Sequence, residues 1–200
     1  MAFTLGEGRL YSGLSDGTVK VWDTTSLELV ATLRGHSGWV LDLALDQGRL
    51  YSGSGDWTVK VWDTDRLELV ATCQSHTGWV WALALDQGRL YSGSGDSTVK
   101  VWDTTSLELV ATLRGHSDGV RVLAPGEGRL YSGSRDGTVN VWDTHRLELV
   151  ATRQSHTGWV RALALDQGRL YSGSGDSTVK VWDTDSLELV ATFRGHSDGV

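Results

Sequence analysis

Four times along this chain a histidine, a serine and an aspartate recur at one fixed spacing, the residue types that a serine hydrolase uses to make a nucleophile. The sets are His36, Ser52 and Asp56; His76, Ser92 and Asp96; His116, Ser132 and Asp136; and His156, Ser172 and Asp176. A tryptophan follows each aspartate at a constant distance: Trp62, Trp102, Trp142 and Trp182. Partial sets stand at either end, Ser12, Asp16 and Trp22 without an earlier histidine and His196 without a later serine. In such a set the imidazole would take the hydroxyl proton while the carboxylate holds the ring. Two features argue against that chemistry. Catalysis needs no indole in series, and a catalytic site is rarely built once per repeat. No Gly-x-Ser-x-Gly elbow is present either, because Gly93-Ser94-Gly95 lacks its spacing. A structural role suits the same residues better. A buried indole N–H, a hydroxyl and an imidazole each need a partner, and a closed chain of hydrogen bonds supplies all of them. His145 stands alone on an expected exposed turn, and no histidine–carboxylate cluster has metal-ligand spacing. The expectation is a protein without cofactor, metal or catalytic activity.

The elements that must position these residues follow from a period of 40. Trp22, Trp62, Trp102, Trp142 and Trp182 fall 40 residues apart, each followed by Asp, and the run Gly-Arg-Leu-Tyr-Ser-Gly keeps the same step from Gly8 to Gly168. The period fills the chain without insertion, which leaves no room for a linker or a second domain. Within one period the pattern is β. Val40 to Leu45 reads as a mostly apolar inner strand, Leu50 to Ser54 as a second and Thr58 to Trp62 as an alternating third. Leu67 to Thr72 makes a fourth, since the helical alternative over Leu67 to Ala71 is too short to stand alone. Asp46-Gln47-Gly48 is turn chemistry, with Gly48 free to take positive φ. Four short antiparallel strands in 40 residues make one propeller blade. The fold class is therefore all-β: a β-propeller of five four-stranded blades over 1–200, at about 1–34, 35–74, 75–114, 115–154 and 155–200.

Gly35-His36, followed by Asp56 and then Trp62-Asp63, resembles the signature of the WD-repeat family, and Gly115-His116 with Asp136 and Trp142 repeats it. Ser75-His76 and Ser155-His156 depart mildly by placing serine before the histidine. The resemblance covers essentially the whole chain. It implies that the Trp, Ser (Ser52, with Ser54 as the alternative), His and Asp positions form a structural hydrogen-bond chain, each histidine serving the blade that follows it. It also implies protein or peptide partners taken at the top rim. The family usually closes with seven blades, so five leaves three outcomes open: a closed ring, an open arc, or repeats completed by other chains. In a closed ring His196 would serve Ser12, Asp16 and Trp22. An open arc would expose an apolar sheet face at each end and favour self-association. Residues 82–120 and 162–200 differ only at Thr105/Asp185 and Leu113/Phe193, which reads as tandem duplication and as a sign of a longer array or an engineered repeat protein.

The repeats differ where a partner would be met. The position after the histidine loop reads Trp39, Trp79, Gly119, Trp159 and Gly199, and two residues on come Leu41, Trp81, Arg121 and Arg161. The second-to-third turn contributes Arg135 and Trp57 at positions that are Gly or Ser elsewhere. Up-and-down connectivity puts all of these on one rim, and Trp and Arg are the types enriched at interface hot spots. The opposite rim carries Asp46, Asp86 and Asp166, most simply a solvated face. A net charge of −7 argues against nucleic acid, and no apolar run approaches a membrane span. Cys73 has no second cysteine to pair with, and Met1 to Leu5 run directly into repeat sequence, so a reducing compartment, cytoplasmic or nuclear, is expected. The leading function is a non-catalytic scaffold for proteins or peptides. The alternative is a multivalent propeller for carbohydrate or another small ligand.

Overall fold

A computed structural model describes residues 2–154 and 156–200; Met1 and Ser155 lie outside them. The chain forms five four-stranded antiparallel sheets, each built from consecutive strands in up-and-down order. In blade 2 these are Val40–Asp46, Arg49–Ser54, Thr58–Asp63 and Glu68–Gln74. The segment whose sequence could have begun a helix, Leu67 to Ala71, enters the outermost strand instead. The first hairpin turns on Gln47 and Gly48, both at positive φ (46° and 74°), the pair of conformations that a tight hairpin requires.

No blade could be stable alone, because its sheet has two apolar faces. Stacking solves this. Tyr11, Val19, Val21 and Leu33 on the trailing face of blade 1 pack onto Val40, Leu43, Leu50 and Trp62 on the leading face of blade 2. The same set recurs between blades 2 and 3, 3 and 4, and 4 and 5, which makes a quasi-one-dimensional core. Gly13, Gly53, Gly93 and Gly133 let the next blade approach; a Cβ there would meet the following valine, for example Val40 at 2.5 Å. Below this core, Arg9, Arg49, Arg89 and Arg129 each donate to a backbone carbonyl of the next blade, at Thr64, Thr104, Thr144 and Thr184.

The innermost strands pack in series, blade 1 on 2, 2 on 3, 3 on 4 and 4 on 5, but the innermost strand of blade 5 does not pack against that of blade 1. The five blades show no closure into a ring, and the arrangement is that of an incomplete propeller. Its two terminal faces stay open, with Phe3, Leu5 and Leu27 exposed at one and Phe193 at the other.

Candidate functional site

Two arrays of side chains recur blade by blade, one inside and one on a rim. The inner array is the hydrogen-bond chain. In blade 2 the Trp62 indole donates to Ser52 Oγ at 2.9 Å, and Ser52 meets His36 Nε2 at 2.7 Å. His36 Nδ1 meets Asp56 Oδ2 at 2.8 Å. In the tautomer whose Nδ1–H donates to the carboxylate, Nε2 accepts from the serine hydroxyl. The chain repeats through Trp102, Ser92, His76 and Asp96. It recurs through Trp142, Ser132, His116 and Asp136, and again through Trp182, Ser172, His156 and Asp176. Ser54, the alternative serine, instead bonds the Gly38 carbonyl and the Asp56 amide.

The geometry of nucleophile, base and carboxylate is that of a hydrolase triad, but the hydroxyls of Ser52, Ser92, Ser132 and Ser172 are fully buried. Each already accepts an indole proton, so no substrate carbonyl can approach. Burial works to raise the carboxyls of Asp56, Asp96, Asp136 and Asp176. Hydrogen bonds from the paired histidine and from the threonine two residues on outweigh it and hold all four well below the usual range. Burial likewise pushes the pKa of His156 down, against the pull of Asp176.

At the ends the chain is incomplete. Trp22 donates to Ser12 at 3.1 Å and Asp16 accepts from Thr18 at 2.7 Å, but no histidine joins them. His196, assigned by sequence to this network, lies exposed and forms no hydrogen bond among the described residues. The reason is the open arc: blade 5 never reaches blade 1.

The second array lies on the rim formed by the histidine loops and the second-to-third turns, which are held together by Gly55 N–H donating to the Trp39 carbonyl at 2.8 Å and its repeats. The inner strand carries a β-bulge in blades 2 to 5 that leaves Leu41, Trp81, Arg121 and Arg161 without a cross-strand partner. A bulge re-aims its extra residue, and these positions differ between the repeats. Trp39 and Trp79 lie with ring centroids 6.2 Å apart. Further round, the Arg121 guanidinium sits 4.7 Å from the Trp81 ring, and Arg135 lies 5.6 Å from Trp81 and 4.0 Å from Trp159. Arg161 closes the series at 5.9 Å from Trp159. Trp81 is half-buried because Gly95 and Gly119 leave space beside it; a Cβ on Gly119 would meet the ring at 2.2 Å.

None of these three arginines makes an ion pair among the described residues, and the buried Nε of Arg135 has no acceptor. Burial, with Arg135 and Arg161 nearby, lowers the pKa of Arg121. Trp57 is half exposed and holds φ at 71°, where the equivalent residues are Gly17 and Gly137 in two blades. A cleft of ≈ 270 Å³ beside the series is lined by Leu14, Ser15, Trp39 and Leu41. The bulge, the positive φ and the glycine spaces carry no signal in a single sequence; the Arg and Trp types do.

Cys73 is buried, with its thiol pushed up to about 11 by desolvation, and His145 is exposed. Among the described residues, no group of three or more His, Cys, Asp or Glu side chains could hold a metal ion. Among the described residues no helix is long and apolar enough to cross a membrane.

The family model described as "WD domain, G-beta repeat" matches residues 1–23, 27–63, 67–103, 107–143 and 147–183. No curated protein matches. Among solved structures, the crystal structure of the computationally designed Ika8 protein superposes with a TM-score of 0.93 at 32% identity. It covers 100% of this chain, which spans 63% of that protein's length.

Proposed function

The chain belongs to the WD-repeat family, and from that premise we propose that it is a non-catalytic interaction platform whose upper rim takes an extended acidic segment of another protein. WD-repeat domains in general mediate protein–protein contacts. The observation that supports a particular chemistry here is the run Arg121, Trp81, Arg135, Trp159, Arg161, with three cations stacked on two indoles and no carboxylate paired to them. Such an array in a chain of net charge −7 invites an anion. Guanidinium groups fixed against aromatic faces can offer paired N–H donors to a carboxylate with little further loss of side-chain freedom. Trp57 adds to the reading, since an indole kept at a positive-φ position that glycine would suit better is a conformational cost without a packing gain. Trp39, Leu41 and Trp79 supply apolar contact beside the cations.

Titration of synthetic peptides rich in Asp and Glu, against the same peptides with Asn and Gln, reads out in the rim indoles. Acidic peptides bind, the affinity falls with added salt, and Arg135→Ala weakens it about tenfold or more. Equal affinity for the neutral peptides overturns the acidic assignment. Saturation by a small glycan at several equivalent sites per chain would instead favour the carbohydrate reading.

A further inference from the structure

We infer that the two open end faces are the two halves of one interface, so that this chain joins head to tail with a second copy of itself, His196 of one copy completing the unfinished hydrogen-bond chain of the next. Each face already has its counterpart inside the molecule. The leading face of blade 1 presents Phe3, Leu5 and Leu27 where blade 2 buries Leu43, Leu45 and Leu67 against its neighbour. Leu27 is 79% exposed, whereas its blade 5 equivalent, Leu187, is 8% exposed. At the other end Phe193 is 55% exposed, where Leu33 and Leu113 are 4% exposed. Four copies of this pairing are formed within the chain, and the fifth is divided between its ends.

The polar groups divide the same way. Ser12, Asp16 and Trp22 lack only a histidine, and His196 lacks only a serine and an aspartate. The loop carrying His196 already lies against blade 5 as the internal loops lie on theirs. Val200 N–H donates to the Ser174 carbonyl at 2.9 Å, as Val40 N–H donates to Leu14 at 3.0 Å. Arg169, with no further blade to reach, turns back to its own Asp183 at 2.5 Å, while its four equivalents bond the next blade. In the assembly it reaches the Thr24 carbonyl of the second copy. A surface that matches an apolar face, an unfinished imidazole site and a guanidinium turned back on its own blade, all in one register, is another blade of this repeat.

The contact is heterologous, so it closes only if the curvature allows. This chain spans 63% of the designed Ika8 chain on which it superposes, so the remainder of that length is shorter than a second copy. Addition therefore continues beyond the dimer. Light scattering or sedimentation of the 200-residue chain over a wide concentration range should show mass rising in whole-chain steps. Two variants decide the matter, Leu5→Asp to block the leading face and Phe193→Asp to block the trailing face. Both positions are exposed, so circular dichroism should be unchanged in each. Each variant alone is monomeric, the equimolar mixture forms a dimer that grows no further, and His196→Ala weakens association. A wild-type chain that stays monomeric at every concentration overturns the inference and leaves the faces to a different partner. So does a mixture that stays monomeric.

Discussion

The inner hydrogen-bond chain and the rim series are built at neighbouring positions of the same repeat, yet the first is identical in blades 2 to 5 and the second changes in every blade. The inner chain is saturated: every donor has an acceptor, and substitution strands a buried group. The rim series is unsaturated, with stacked cations that lack anions and indoles half in water. Repetition fixes what the fold needs, and departure from repetition marks what is free to meet a partner.

The sharpest way to break that contrast is His116→Ala. It leaves the Ser132 hydroxyl and the Asp136 carboxylate each short of the imidazole, while Trp142 keeps Ser132 as its acceptor, and should cost about 1–3 kcal/mol of stability. The expected result is a lower Tm with peptide binding at the rim intact; lost binding at unchanged Tm would reverse the two roles.

Acid should act on the inner array in the same way. The four aspartates have folded pKa values below their unfolded value of about 3.9, so their stabilisation is present above that pH and is lost as pH falls toward the folded values. His156, also depressed, loses its contribution as pH falls below about 6.5. Asp42 runs the opposite way. Burial raises its carboxyl, although the Leu43 and Leu83 amides donate to it, so its contribution is full at low pH and fades as pH rises through the raised value. Thermal melts from pH 7 to 3 should decline overall, four depressed carboxyls outweighing one raised; a Tm that holds steady to pH 3 would contradict this.

Smaller effects test the rim. Arg135→Ala should weaken acidic-peptide binding by about 1.4 kcal/mol or more, a tenfold change, with a Tm shift under a few degrees. Trp57→Gly should raise stability by roughly 0.5–1 kcal/mol by removing the positive-φ strain while weakening binding. Isothermal titration beside a melt separates the two, and a fall in stability would mean that Trp57 packs more than it binds.

A change of similar size sharpens the inner side. Asn140 is buried with both amide atoms unpaired, at a position where Lys60, Lys100 and Lys180 each donate to a threonine on the neighbouring strand. Asn140→Lys should restore that bond with Thr152 and raise stability by about 0.5–1.5 kcal/mol, measured by urea unfolding.

Much of this was legible in the residues. The two-residue alternation of Thr58 to Trp62, the turn at Gln47-Gly48 and the recurring Trp, Ser, His and Asp led to blades and to their hydrogen-bond chain, because local patterning and the pairing of buried polar groups are set within one repeat. The types at Leu41, Trp81, Arg121 and Arg161 were visible, but not that a bulge frees them from pairing, since a bulge is a property of register between two strands. His196 was expected to serve Ser12, Asp16 and Trp22 in a closed ring, and in the open arc it does not reach them. Its partner depends on the small rotation from blade to blade summed over five, which no single repeat encodes. Sequence alone determined what each blade is. Only the packing of blades decided that the fifth does not return to the first, because a periodic chain specifies each contact and leaves the total angle to geometry.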